Sequence, residues 1–130
     1  MFFMVKGVLG GDVEGEAVVT KPLSPLGDID PRTGNVRVNS EVVSIKGKIV
    51  IMERMKGSTV GSYVLYALGR RGTAPKAIVV SYADPVLVAG CVLGNITLAY
   101  GVERAFFRYV RTGSRVRINS SLKRVELVDV

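Results

Sequence analysis

Residues 48–100, KIVIMERMKGSTVGSYVLYALGRRGTAPKAIVVSYADPVLVAGCVLGNITLAY, decide the fold. Three runs in this stretch are short, apolar and almost uninterrupted: 48–52 (KIVIM), 76–82 (KAIVVSY) and 96–100 (ITLAY). Runs of that length, bounded by Gly, Pro and Asn, read as strands covered on both faces. Between the first two, Val64, Leu65 and Leu68 share one face of a helix predicted over 62–71. Gly72 suits the position just past its end, and Pro75 blocks any continuation. Arg70 and Arg71 fall in the last turn, where cations favour the helix dipole. Between the second and third runs, Asp84-Pro85 is a cap followed by a first-turn proline. It predicts a second helix to about residue 93, closed by Gly94-Asn95. Strand–helix–strand–helix–strand implies a parallel sheet with helices packed on it.

The flanks read differently. Residues 13–20 (VEGEAVVT) form a strand, and the opening MFFMVKGVLGG is also read as one. That opening is apolar but short, with no basic residue ahead of its apolar part, so a signal peptide is not expected. Residues 21–35 (KPLSPLGDIDPRTGN) are expected to be a long loop with DPRTG as a turn. A loop of that length is uncommon in a small domain and often functional. A short helix is expected over 103–110, and 114–118 with 124–128 alternate apolar and polar as a half-exposed hairpin. The expected architecture is one α/β domain over residues 1–130, in a β/β/α arrangement with a second, partly exposed strand layer.

Composition excludes several chemistries. The chain of 130 residues has one cysteine, Cys91, and no histidine. An internal disulfide is impossible, histidine acid–base chemistry is excluded, and a zinc or iron–sulfur site is nearly excluded, since a cluster needs several cysteines and zinc three or four Cys, His or carboxylate ligands. Catalysis would have to use Ser, Thr, Tyr, Lys, Asp or Glu, or a group from another chain. The hydrophobic fraction is 48% and the mean hydropathy +0.31, so some apolar surface is expected to be covered by a partner. No apolar run approaches the roughly 20 residues that cross a bilayer, and the expected compartment is the cytoplasm. The net charge is +7, with Arg104, Arg108, Arg111, Arg115, Arg117, Lys123 and Arg124 crowded toward the C-terminus. Such a run is first a solvated face or an interface with an acidic partner, then an attractor of anionic substrate, and last a nucleic-acid footprint. A nucleic-acid module is the alternative from a different class. It lacks basic residues interleaved with aromatics on a strand platform; only Phe106, Phe107 and Tyr109 lie near the run.

The segment 55–66, MKGSTVGSYVLY, carries the chemistry. A glycine- and hydroxyl-rich loop follows a strand and opens a helix, whose N–H groups favour negative charge. Ser58, Thr59 and Ser62 add hydroxyls and Lys56 a cation, so the loop could hold a carboxylate or a phosphate. It is not a P-loop, because the G-x-x-x-x-G-K-S/T pattern is absent. On residue types alone, Ser58 or Ser62 capping the helix explains it equally well. Asp84 reads as a helix cap before a catalytic acid, Cys91 as core, and Asp28 and Asp30 as turn residues.

Three stretches, GEAVVTKPLSPLGDIDPRTG (15–34), MKGSTVGSYVLYAL (55–68) and GTAPKAIVVSYADPVLVAGCVL (72–93), resemble the small-subunit family of aconitase X. The resemblance covers about 60% of the chain by motif, with GSTVGSYVLY its most specific part. It implies a swivel-type β/β/α domain equivalent to the mobile fourth domain of aconitase. It also implies a separate large subunit holding an iron–sulfur cluster, expected to be of the four-iron, four-sulfur type. Archaeal members dehydrate (R)-5-phosphomevalonate to trans-anhydromevalonate 5-phosphate in a mevalonate pathway. Bacterial relatives act on another hydroxy acid, cis-3-hydroxyproline. The family's proton-accepting serine lies in the second Gly-Ser of its motif, here Ser62, and Gly57, Ser58 and Thr59 match substrate-contacting positions beside Lys56. Two departures stand out. Leu26-Gly27-Asp28 replaces an aromatic followed by Gly-Gly, and residues 36–45 are shorter than in many members and lack a histidine.

Overall fold

The apolar runs become neighbouring parallel strands. The structure, a computed structural model, describes residues 1–57 and 60–128. In chain order the elements are β1 (Phe2–Met4), β2 (Gly7–Leu9), β3 (Val13–Val19), α1 (Pro25–Asp28), β4 (Ile29–Asp30), β5 (Asn35–Val38), β6 (Glu41–Ser44), β7 (Ile49–Ile51), α2 (Gly61–Arg71), β8 (Ala77–Val80), α3 (Pro85–Gly94), β9 (Thr97–Tyr100), α4 (Phe106–Tyr109), β10 (Arg115–Asn119) and β11 (Arg124–Leu127). β7 pairs in parallel with β3 and β8, and β8 with β9.

Side-chain parity along these strands builds two cores. Val18, Val50, Met52, Ile78, Val80 and Leu98 join Leu65 and Leu68 of α2 and Leu87 and Cys91 of α3. Their neighbours Ala17, Ile49, Ile51, Ala77, Val79 and Ala99 join Phe3, Phe106, Val116, Ile118, Val125 and Leu127 on the opposite face. Successive strand residues point to opposite faces, so two dry faces remove any polar alternation from the sequence. This is a mixed α/β arrangement, and the expected second strand layer is part of the same sheet. The sheet order is β1-β11-β10-β3-β7-β8-β9-β2.

The N-terminal stretch forms two strands rather than one. β1 pairs with β11 and β2 with β9, so both ends of the sheet order are consecutive halves of one segment. At the crossing, the Val5 N–H donates to the Lys123 carbonyl at 3.0 Å and the Lys6 N–H to the Tyr100 carbonyl at 2.9 Å.

The 21–35 stretch is not a structureless loop. Pro25 opens the single turn α1, and the Asp28 carboxylate accepts the Ser24 N–H at 2.8 Å. The chain then pairs β4 with β5 and β5 with β6 in a three-stranded sheet. Leu23, Ile29, Val36 and Ile45 pin this segment onto the helix-side core. Its turn needs Gly34: φ is +75°, and a Cβ there would meet the Thr73 carbonyl at 2.5 Å. The helix expected over 103–110 contracts to one turn, α4, whose Phe106 is fully buried.

Candidate functional site

The C-terminal ends of β3, β7 and β8 lie side by side, and the segments leaving them form one surface. The loop after β7 is tied down from both sides. The Lys56 N–H donates to the Leu23 carbonyl at 2.8 Å, while Ser81 and Tyr82 donate their N–H groups to the Glu53 carbonyl at 2.9 and 3.1 Å. Met55 and Leu23 are both buried beneath it. Two glycines fit the loop between its neighbours. A Cβ at Gly57 would lie 3.4 Å from Asp84 Oδ2, and one at Gly61 would lie 3.2 Å from Pro25 Cγ and 3.4 Å from Val86 Cγ1. The loop therefore runs between α1 and the start of α3.

α2 begins at Gly61, one residue before the expected start, with Val60 at its N-cap position. Ser62 is thus not the cap; it stands in the first turn, half-buried. Its hydroxyl makes no side-chain hydrogen bond among the described residues. Gly90 of α3 passes so close that a Cβ there would sit 3.1 Å from Ser62 Cα and 2.5 Å from Leu65 Cδ1. At Gly94 the helices are as close: a Cβ there would lie 2.5 Å from the Leu65 carbonyl oxygen. Lys56 and Gly57 are exposed on the same loop. Ser58 and Thr59 lie outside the described residues.

The other titratable groups sort into structural roles. Asp84 Oδ1 accepts the Leu87 N–H at 2.8 Å and caps α3, as expected. Asp30 is held below the usual carboxylate range chiefly by the Arg32 backbone N–H, which makes it a turn residue. Burial pushes the Cys91 thiol up to about 12, so it stays protonated near neutrality and packs as a core side chain. A thiolate is what binds metal. With Cys91 protonated and no histidine in the chain, the side chains present do not fit a cluster or zinc ion. No group of candidate metal ligands assembles among the described residues.

Four of the seven residues of the basic run are ion-paired, three of them on the outer strand face. Arg115 and Arg117 reach Glu14 at 3.0 and 2.9 Å, Arg117 and Arg124 reach Glu126 at 3.3 and 3.0 Å, and Arg104 reaches Glu53 at 3.0 Å. The cations near the site loop are different ones. Lys21, Arg54 and Lys56 are exposed and carry no ion pair among the described residues.

Two hydroxyls escaped the sequence reading. Thr20 Oγ1 and Ser81 Oγ are buried without a hydrogen-bond partner among the described residues, directly past the ends of β3 and β8. Buried hydroxyls are normally paired. Parity with Val18 puts Thr20 on the helix side of the sheet, the side of the α2 loop. The only signal was a hydroxyl residue closing an apolar strand.

The sequence profile of the aconitase X swivel domain matches residues 3–127. The chain belongs to this family. The small subunit of phosphomevalonate dehydratase from Aeropyrum pernix is 47% identical over 113 residues, 87% of this swivel domain and 83% of the relative. The protein of the same name from Pyrococcus abyssi is 46% identical over 127 residues, 95% of each. The crystal structure of Thermococcus kodakaraensis aconitase X in its holo form matches this swivel domain with a TM-score of 0.90 and 39% identity over 99% of each chain. The relatives' designation as small subunits implies a larger partner subunit.

Proposed function

We propose that this chain is the small subunit of a phosphomevalonate dehydratase, a hydro-lyase of the mevalonate pathway in the cytoplasm, and that residues 1–130 act as one swivel unit. The observation that carries this is 46–47% identity over most of the chain to relatives bearing that name. Ser62 is assigned as the proton acceptor. Lys56, Gly57, Ser58 and Thr59 are assigned to hold the anionic substrate. A free serine is a weak base, so its alkoxide needs donors and positive charge nearby. The N-terminal turn of α2, where Ser62 stands, and Lys56, exposed and without an ion pair among the described residues, support that role. Lys21 and Arg54 at the same edge would draw a phosphorylated, carboxylate-bearing substrate toward the loop.

The family's iron–sulfur cluster is assigned to the large subunit, where it would supply the Lewis acid for the departing hydroxyl. This chain contributes binding, orientation and the proton acceptor. The test is anaerobic co-expression with the aconitase X large subunit of the same source, with turnover of (R)-5-phosphomevalonate followed by product analysis. Formation of trans-anhydromevalonate 5-phosphate is expected, with cis-3-hydroxyproline left unchanged. A purified complex that dehydrates hydroxyproline and ignores phosphomevalonate would overturn the assignment.

A further inference from the structure

α3 has an unusual composition for a surface helix. Its sequence, PVLVAGCVLG, contains no charged or hydrogen-bonding side chain apart from the Cys91 thiol. Leu87, Gly90, Cys91 and Gly94 face inward. Pro85, Ala89, Val92 and Leu93 are exposed, the last two at 67% and 54%. The spacing i, i+4, i+7, i+8 places those four on one outward stripe. A helix at a water-facing surface normally turns polar residues outward; one that is apolar all round is normally buried. α2 follows the rule, ending in exposed Arg70 and Arg71. At its C-terminal half the α3 stripe borders a groove of about 250 Å³, walled by Val92, Ile96 and the exposed Leu9.

We infer that this stripe and the Leu9 groove are the docking surface for the large subunit, which meets them with an uncharged, apolar face. The inference rests on the two-subunit reading above. Three observations choose the large subunit over a second copy. The stripe begins at Pro85, next to Asp84, whose Oδ2 faces Gly57 in the site loop. The chain that completes that site is therefore already positioned at the head of the stripe. Each copy carries a net charge of +7, which opposes self-association. The remaining apolar exposure at the site end, Leu26 at 72% and Tyr82 at 60%, extends the surface around the site loop.

The test is affinity between the wild-type large subunit and a Val92→Gln/Leu93→Gln double variant, measured by titration of the purified chains. At least a tenfold rise in Kd is expected, with the thermal midpoint of the isolated chain unchanged, because both side chains already face solvent. Val42→Gln, at an equally exposed position on β6, is expected to leave Kd unchanged. Equal affinity of the double variant and the wild type overturns the docking surface while leaving the two-subunit reading standing. An isolated wild-type chain that sediments as a dimer and is dissociated by the double substitution also overturns it, in favour of a second copy. If wild-type chains do not associate at all, both readings fall.

Discussion

Ser62 and Ser58 lie four positions apart in one short loop, and chemistry must separate them. Removal of a base lowers kcat with little effect on binding, whereas removal of a contact raises KM. Ser62→Ala in the reconstituted complex is expected to lose roughly 10²-fold or more in kcat, the usual scale for acid–base groups. Ser58→Ala is expected to retain turnover at saturating substrate. The reverse pattern in steady-state kinetics would make Ser58 the base. Thr20 raises a separate question, because its buried hydroxyl has no hydrogen-bond partner among the described residues. Thr20→Val removes an unpaired polar atom, a group whose burial costs about 1–3 kcal/mol. The isolated variant is therefore expected to melt at or above the wild-type temperature. A clear drop in the melting midpoint would mean that the hydroxyl has a structural partner after all. The glycine–hydroxyl loop was visible in the sequence as a strand-to-helix join, but residue types alone left helix capping an equal explanation, and only the family resemblance singled out Ser62 within it. Thr20 was not visible, because nothing in a strand's composition reveals whether its last hydroxyl finds an acceptor.

At the scale of elements, the placement of Ser62 depends on how closely α2 and α3 approach. Two effects oppose each other at Gly90. Alanine in a helix interior is favoured over glycine by about 0.5–1 kcal/mol. Here, however, a Cβ would meet Leu65 Cδ1 at 2.5 Å and Ser62 Cα at 3.1 Å. Overpacking typically costs about 1–3 kcal/mol, so the clash is expected to win. Gly90→Ala should lower the denaturant midpoint of the isolated chain and displace the first turn of α2, reducing turnover in the complex. An unchanged or raised midpoint would show that the helices part without cost. The helices themselves were legible, since Asp84-Pro85 and Gly72 mark ends by local backbone chemistry. The 21–35 segment was not. Its strands β4 and β5 are short, and their register depends on Ile29, Val36 and Ile45 finding the helix-side core, which is a non-local event.

Across the whole molecule, the N-terminal segment and the outer arginines join distant parts of the chain. Glu14 on β3 takes Arg115 and Arg117 of β10, whose hydrogen bonds hold its carboxyl below the ordinary value of 4.5. The stabilisation is present above that ordinary value and is lost as pH falls through the lower folded value. Glu14→Gln should therefore remove part of the loss of stability on acidification below about pH 4.5. Melting curves from pH 3 to pH 7 in low salt would check it, and an identical acid slope in the variant would refute it. The sequence by itself determined the parallel β–α–β–α–β frame, the strand-to-helix loop over 55–61 and the lack of histidine and of a second cysteine. Strand periodicity, helix ends and donor inventory are all properties of neighbouring residues or of simple composition. Only the tertiary structure decided that one N-terminal segment serves both ends of the sheet, that α3 turns an apolar stripe outward and that most of the basic run is ion-paired. Each of these is a pairing between residues far apart in the chain, set by closure of the sheet rather than by any local pattern.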